Sequence, residues 1–203
     1  MEINHTNKAK SALILAGGQG SRMGYDKKLL KINGICVIEE LINKLRFVFS
    51  EILVSTNRIN GCLSYKNVHV LYDDIGSGPL AGIYQGLKYC KSDYLYVIAC
   101  DMPFISLDYI RYIKEIICST QVDACVSSRN NGFYEPFNSF YNKNCLSILH
   151  NSIMCGEYKI SLFLEKLNLY IVRSEVTEKY KDMFFNINSK EDLECAARMF
   201  QRL

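Results

Sequence analysis

Apolar and polar positions along this chain switch repeatedly between two periods, and the switches outline its elements. Residues Ala12–Ala16 form a small apolar run that breaks into Gly17, Gly18 and Gly20. The segment KLLKINGICV reads as short extended pieces about Asn33-Gly34, a turn dipeptide. Val37, Leu41, Leu45 and Val48 then recur at helical spacing. Ile52–Ser55 and Val68–Tyr72 are short apolar strands. Pro79–Tyr89 reads as a helix with Leu80, Ile83, Tyr84 and Leu87 on one face. Tyr94–Ala99 is an apolar, β-branched run that ends at Cys100-Asp101. A helix over Leu107–Cys118 and a strand over Val122–Ser127 follow. The aromatic stretch FYEPFNSFY, Phe133–Tyr141, predicts mixed or antiparallel strands. Beyond it lie two helical patterns, a strand at Leu169–Val172 and a C-terminal helix from Ser189.

This β-α-β-α rhythm predicts an α/β fold: a Rossmann-like three-layer α/β/α sandwich with a mostly parallel central sheet. No repeat, low-complexity tract or linker divides residues 1–203, so one domain is expected. In such sheets ligands gather beyond the carboxyl ends of the strands. The glycine loop, Asn57, Asp73 and Asp101 all fall at strand ends, which predicts one shared site.

Composition narrows the class. Hydrophobic residues make up 49% and charged residues 22%, ordinary for a soluble globular protein. A net charge of +3, from 24 Lys and Arg against 21 Asp and Glu, is too balanced for a dedicated nucleic-acid binder. Nine cysteines are present, but none are paired as C-x-x-C, and Cys100 and Cys125 lie in apolar runs. They read as reduced, mostly buried thiols of a cytoplasmic protein. The polar N-terminus lacks the apolar core of a signal peptide, and no run approaches the ~18 residues of a membrane span. The histidines, His5, His69 and His150, are scattered and need no catalytic role.

The candidate chemistry begins where the first strand breaks. Glycines let the backbone approach a ligand without a Cβ in the way, and their N–H groups can bind phosphate oxygens. Arg22, Lys27 and Lys28 supply positive charge just beyond, as a triphosphate requires. The dinucleotide pattern G-x-G-x-x-G fails at Met23, and the P-loop pattern finds no register. Asp101, in Cys100-Asp101-Met102-Pro103-Phe104, ends the central strand, and Pro103 fixes the turn after it. A carboxylate there suits a hard divalent cation such as Mg²⁺, or else simply bonds nearby backbone amides. Asp73-Asp74 precedes GSGPLAG, where Pro79 sits near a helix start. A carboxylate there suits N–H donors or a ribose hydroxyl. Ser189 with Asp192 is a helix capping signal.

The segment from Leu15 to Lys27 resembles the L-A-G-G-x-x-x-R-M-G-x-D-K loop of the molybdenum cofactor guanylyltransferases, within the wider nucleotidyltransferase group. Leu15, Ala16, Gly17, Gly18, Arg22, Met23, Gly24, Asp26 and Lys27 match it. Further matches reach Leu193, so the resemblance covers nearly the whole chain. It implies transfer of GMP from GTP to the terminal phosphate of Mo-molybdopterin, with release of pyrophosphate. By this resemblance Arg22, Lys27 and Asp101 are catalytic and Asp101 holds Mg²⁺. Leu15, Ala16, Gly17, Gly18, Lys27, Ser55, Asp73 and Asp101 bind the nucleotide. Residues from about 11 to 105 form the nucleotide half and those from about 106 to 203 the acceptor half. Asn188 and Asn186, in a match to the F-x-N-[IV]-N ending of the family, face the site from the acceptor side. The product passes to molybdoenzymes or their chaperones. Ser55 stands where the family often has asparagine. Glu135-Pro136 stands where relatives carry His-Pro or Gln-Pro, and by itself reads as a solvent-facing glutamate before a rigid proline. Cytidylyltransferases of the same cofactor tend to read L-A-A-G, unlike the L-A-G-G here. Outside catalysis, a GTP-binding regulatory module is the alternative.

Overall fold

The computed structural model describes residues 8–17, 30–56, 68–72, 75–76, 78–128 and 133–201. In chain order, the first elements are β1 (Ser11–Leu15), β2 (Lys31–Ile32), β3 (Ile35–Cys36), α1 (Val37–Leu45), β4 (Glu51–Thr56), β5 (His69–Tyr72), α2 (Gly78–Tyr89) and β6 (Tyr94–Ala99). Then come α3 (Leu107–Ser119), β7 (Ala124–Ser128), β8 (Tyr134–Asn142), α4 (Leu146–Met154), α5 (Ile160–Leu164), β9 (Leu169–Val172), α6 (Ser174–Thr177) and α7 (Lys190–Phe200). Seven strands make one sheet in the order β5-β4-β1-β6-β8-β7-β9, and β2 and β3 form a separate hairpin. Only β8 among the seven runs against the others, pairing antiparallel with both β6 and β7. The mostly parallel α/β sandwich read from the sequence is therefore the fold, with the aromatic stretch as its antiparallel member.

Alternate side chains of the central strands enter two cores. Ala12, Ile14, Ile52, Val54, Tyr96 and Ile98 pack under α1, α3 and α7. Leu13, Leu15, Leu53, Leu95 and Val97 pack under α2, α4 and α5. Helices on both faces explain why β1, β4 and β6 carry near-continuous apolar runs. Burying each such Leu or Ile side chain contributes about 1.5–3 kcal/mol relative to exposure.

Helix α2 lies unusually close to the sheet, and its glycines allow it. A Cβ added at Gly82 would come within 2.5 Å of Leu15 Cδ2 and 2.9 Å of Ser55 Oγ. One at Gly86 would meet Leu13 Cδ2 at 2.5 Å and Leu95 Cδ2 at 2.7 Å. These two positions, one helical turn apart, form the face that rests on the strands.

The amino-terminal edge of the sheet is held by a buried polar knot. Ser11 Oγ donates to Glu51 Oε2 at 2.5 Å, Ser92 Oγ donates to Ser11 Oγ at 2.8 Å, and the Lys91 N–H donates to the same Glu51 oxygen at 2.9 Å. These bonds join β1, β4 and the approach to β6, far from the carboxyl ends.

Two local features differ from the sequence expectations. Helix α1 stops at Leu45, and Val48 sits in the turn that follows, its N–H bonded to the Leu45 carbonyl. Between β9 and the C-terminal helix, α6 and a 3₁₀ stretch over Glu178–Phe184 fill a segment that carries no clean helical period. The hairpin forms as expected, with Asn33 and Gly34 both at positive φ (51° and 83°).

Candidate active site

Strand order reverses between β1 and β6: the chain builds outward from β1 through β4 to β5, then returns to place β6 on the other flank. A crevice opens at such a switch point, beyond the carboxyl ends of the two strands. Leu15 lies level with Ser55 on one side and with Ala99 on the other. Hydrogen bonds continue this knitting past the strand ends. The Ala16 N–H donates to the Ser55 carbonyl at 2.8 Å, and the Cys100 N–H donates to the Leu15 carbonyl at 3.0 Å. The start of the glycine loop and Asp101 thus occupy one edge, two residues beyond paired strand ends.

Asp101 is half-buried at this edge. The strand stops at Ala99, and the Met102 N–H turns back to the Ala99 carbonyl at 3.1 Å before buried Pro103. Ser106 then caps α3 by accepting from the Tyr109 N–H at 3.2 Å. Leu15 and Ser55, both read as nucleotide contacts, turn their side chains under α2 against Gly82. They shape the edge from below, while Gly17 is exposed on it. Gly18, Arg22, Lys27, Asn57 and Asp73 lie outside the described residues. β4 and β5 end at Thr56 and Tyr72, directly before Asn57 and Asp73.

The flank beyond β6 is built around an irregularity in β8. Cys125 pairs with Phe140 but Ser127 pairs with Glu135, so β8 carries extra residues between these levels. A bulge of this kind frees backbone groups that need other partners. Ser139 Oγ donates to the Glu135 and Phe137 carbonyls at 3.0 and 3.1 Å. Tyr141 Oη donates to the Pro136 carbonyl at 2.7 Å. Asn138 sits at φ 52°, a left-handed conformation that asparagine tolerates. The signals, Pro136 and Asn138 inside a strand pattern, were present in the sequence.

Glu135 is a correction. Rather than facing solvent, it is 6% exposed, because its pairing with Ser127 turns it into the sheet edge beside α3. Tyr109 Oη and Ser127 Oγ are hydrogen-bonded there. Burial, chiefly, pushes the Tyr109 hydroxyl well above its ordinary pKa, and the nearby Glu135 charge adds to the rise. Of the eight described cysteines, four rather than most are buried, and burial raises the thiols of Cys90 to about 11 and of Cys125 and Cys145 to about 12.

The C-terminal segment comes to this same edge. The Ile187 N–H donates to the Asp101 carbonyl at 2.9 Å, with Asn186 half-buried and Asn188 exposed on either side. Ser189 and Asp192 form a full capping box at the start of α7.

A model of the MobA-like NTP transferase domain matches residues 12–169. The chain belongs to this family. A relative from Peptoclostridium acidaminophilum, a probable molybdenum cofactor guanylyltransferase, is 38% identical, the match covering 98% of this chain and 94% of the relative. The molybdenum cofactor guanylyltransferase of Syntrophotalea carbinolica is 35% identical over 92% of this chain and 90% of its own. Among solved structures, molybdopterin-guanine dinucleotide biosynthesis protein A from Archaeoglobus fulgidus superimposes with a TM-score of 0.84, covering 95% of this chain and all of that one at 24% identity. That likeness shows the fold, and the MobA-like family gives the chain its place among nucleotidyltransferases. No helix among the described residues is long and apolar enough to cross a membrane.

Proposed function

We propose that this enzyme transfers GMP from GTP to the terminal phosphate of Mo-molybdopterin, releasing pyrophosphate. The observation that carries the reading is the joint placement of the glycine-loop start and Asp101 at the β1/β6 switch point, joined by the Cys100–Leu15 bond. The full-length similarity to guanylyltransferases selects the nucleotide and the acceptor.

The chemistry asks little of the protein beyond positioning. The attacking phosphate monoester is already largely ionised near neutrality, since its second pKa is about 6. No general base is needed. Gly17 and Gly18 offer backbone N–H groups to the triphosphate, and Arg22 and Lys27 balance its charge while the bond to pyrophosphate breaks. Asp73 reads the guanine or its ribose, and Asn186 and Asn188 face the acceptor.

A divalent cation, Mg²⁺ in this reading, fits the donor set. Such an ion takes one or two carboxylates and completes its shell with water and substrate phosphates. Asp101 at the open edge offers one hard oxygen ligand. When bound, the cation stabilises charge on the reacting and leaving oxygens.

The test is pyrophosphate release with each of the four nucleoside triphosphates, with and without Mo-molybdopterin. Release with GTP that depends on the acceptor is expected. Release with CTP alone would reject the nucleotide assignment. Tight GTP binding without turnover on any acceptor would identify a sensor instead.

A further inference from the structure

We infer that Asn138 and Asp192 are positioning residues that clamp residues 183–189 as a strap across the carboxyl edge, fixing the acceptor wall beside Asp101. The inference rests on the guanylyl-transfer reading for the identity of the acceptor, and on geometry for the clamp.

The strap is tied at three points within seven residues. At its start, Asn138 Nδ2 donates to the Met183 carbonyl at 3.0 Å. In the middle, the Ile187 N–H donates to the Asp101 carbonyl at 2.9 Å, and Ile187 is fully buried beneath. At its end, Asp192 Oδ2 accepts from the N–H groups of Asn188 and Ser189, both at 2.9 Å, while Ser189 Oγ accepts from the Asp192 N–H at 3.1 Å. The three anchors belong to three different elements: β8, the turn after β6, and α7.

Asn138 is unusual in what it costs. It is 1% exposed and holds a left-handed conformation inside a strand, where a packed apolar residue would ordinarily sit. Both ends of its amide are engaged: the oxygen accepts from Tyr96 Oη at 2.5 Å and the nitrogen reaches the strap. Tyr96 stands on β6, the strand that ends two residues before Asp101. One side chain therefore ties β6, β8 and the strap into a single unit. The capping box alone would need only the Ser189 N–H. The second bond, from Asn188, extends Asp192's hold back into the strap, where Asn186 and Asn188 flank the residue bonded to Asp101. A displacement of about 1 Å at such a wall is enough to lower turnover strongly.

The test uses the full chain with Asn138→Gly, Asp192→Ala and Asp192→Glu. Glycine keeps the left-handed backbone while removing the side chain and its amide bonds, so backbone strain is not confused with the lost bonds. Glutamate preserves a capping box, which alanine destroys. Two quantities are read: the exchange rate of the Ile187 amide hydrogen, and the KM for each substrate. Asn138→Gly and Asp192→Ala should speed Ile187 exchange and raise the KM for Mo-molybdopterin about three- to tenfold. The KM for GTP should stay within about twofold, and Asp192→Glu should restore both readouts. Unchanged Ile187 exchange in both disruptive variants overturns the clamp. Faster exchange with equal changes in both KM values, or none, reduces these residues to structural supports and overturns the positioning role. Wild-type protein inactive with every triphosphate would reject the guanylyl-transfer reading, and Ile187 exchange would still decide the clamp.

Discussion

The two flanks of the sheet solve the same problem with different materials. From β5 to β6 the strands are parallel and covered on both faces, and apart from the Ser11–Glu51–Ser92 knot at their amino ends and the Ser55 and Thr56 side chains their packing is mainly apolar. Leu13, Leu15, Leu53 and Leu95 line one core, and α2 is drawn onto them by the absence of side chains at Gly82 and Gly86. From β8 to β9 the sheet carries buried polar side chains, Tyr141, Asn138, Ser127 and Ser139, and Tyr96 of β6 and Tyr109 of α3 turn their hydroxyls toward them. The bulge in β8 accounts for the difference. Regular parallel pairing satisfies every backbone group and leaves side chains free to be apolar. An interrupted ladder leaves carbonyls that only polar side chains can satisfy at depth. The parallel flank therefore ends in backbone at Gly17, while the other flank uses specific side chains to hold one irregular shape.

Asp101 lies at the seam between these flanks and gives the largest expected effect. Asp101→Asn should lower pyrophosphate release by about a hundredfold or more. Its thermal midpoint should fall by less than about 4 °C, since one half-buried edge carboxylate supports little of the core. Near-normal turnover would remove this carboxylate from the reaction and leave the seam without chemical meaning.

Next in size are the two glycines of α2. Valine at either position meets leucine carbons closer than contact allows, and each variant should lose about 2–3 kcal/mol in denaturant unfolding. The two should separate in kinetics. Gly82→Val presses on Leu15 and Ser55 at the strand ends, so it should raise the KM for GTP and spare the acceptor. Gly86→Val presses on Leu13 and Leu95, deeper in the sheet, and should destabilise without that bias. Equal kinetic effects of the two would mean that closeness of α2 matters for stability alone.

A smaller loss is expected from the opposite edge. Glu51→Gln removes the charge from the single oxygen that accepts from both the Ser11 hydroxyl and the Lys91 N–H, at about 1–2 kcal/mol. Both KM values should be unmoved, because the knot lies at the amino ends of the strands. A change in either would show that the amino edge is coupled to the carboxyl edge.

Legibility in the sequence follows the same division. The parallel flank was readable because its information is local: an apolar run, a glycine break, Pro79 before a helical period, Asp101 before Pro103. The site's two anchors, the loop start and Asp101, came from that reading and meet at one edge. The other flank was readable only as an aromatic, extended stretch. Glu135 was misplaced because its burial depends on pairing with Ser127 across a bulge, a contact between strands rather than neighbours. The strap was half seen: Ser189 with Asp192 announced a cap, but nothing local told that Ile187 would bond to Asp101. Asn138 gave a signal, a turn residue inside a strand, whose meaning lies in partners on β6 and beyond β9.

The least effect should come from Tyr109→Phe, and it tests whether the polar interior of the second flank is shape-holding throughout. Phenylalanine keeps the ring that packs with Tyr180 at 5.3 Å and Phe184 at 6.4 Å, so the apolar contacts survive. What is lost is the hydroxyl bonded to Ser127, which leaves a buried serine short of one partner. The expected loss is about 1 kcal/mol in denaturant unfolding, with no change in slope. Because Ser127 lies level with Glu135, any loosening there should reach the start of β8 first and not the β1/β6 edge. A raised KM for GTP in this variant would erase the division between the flanks, since it would mean that a hydroxyl bonded three strands away from β1 sets the nucleotide site.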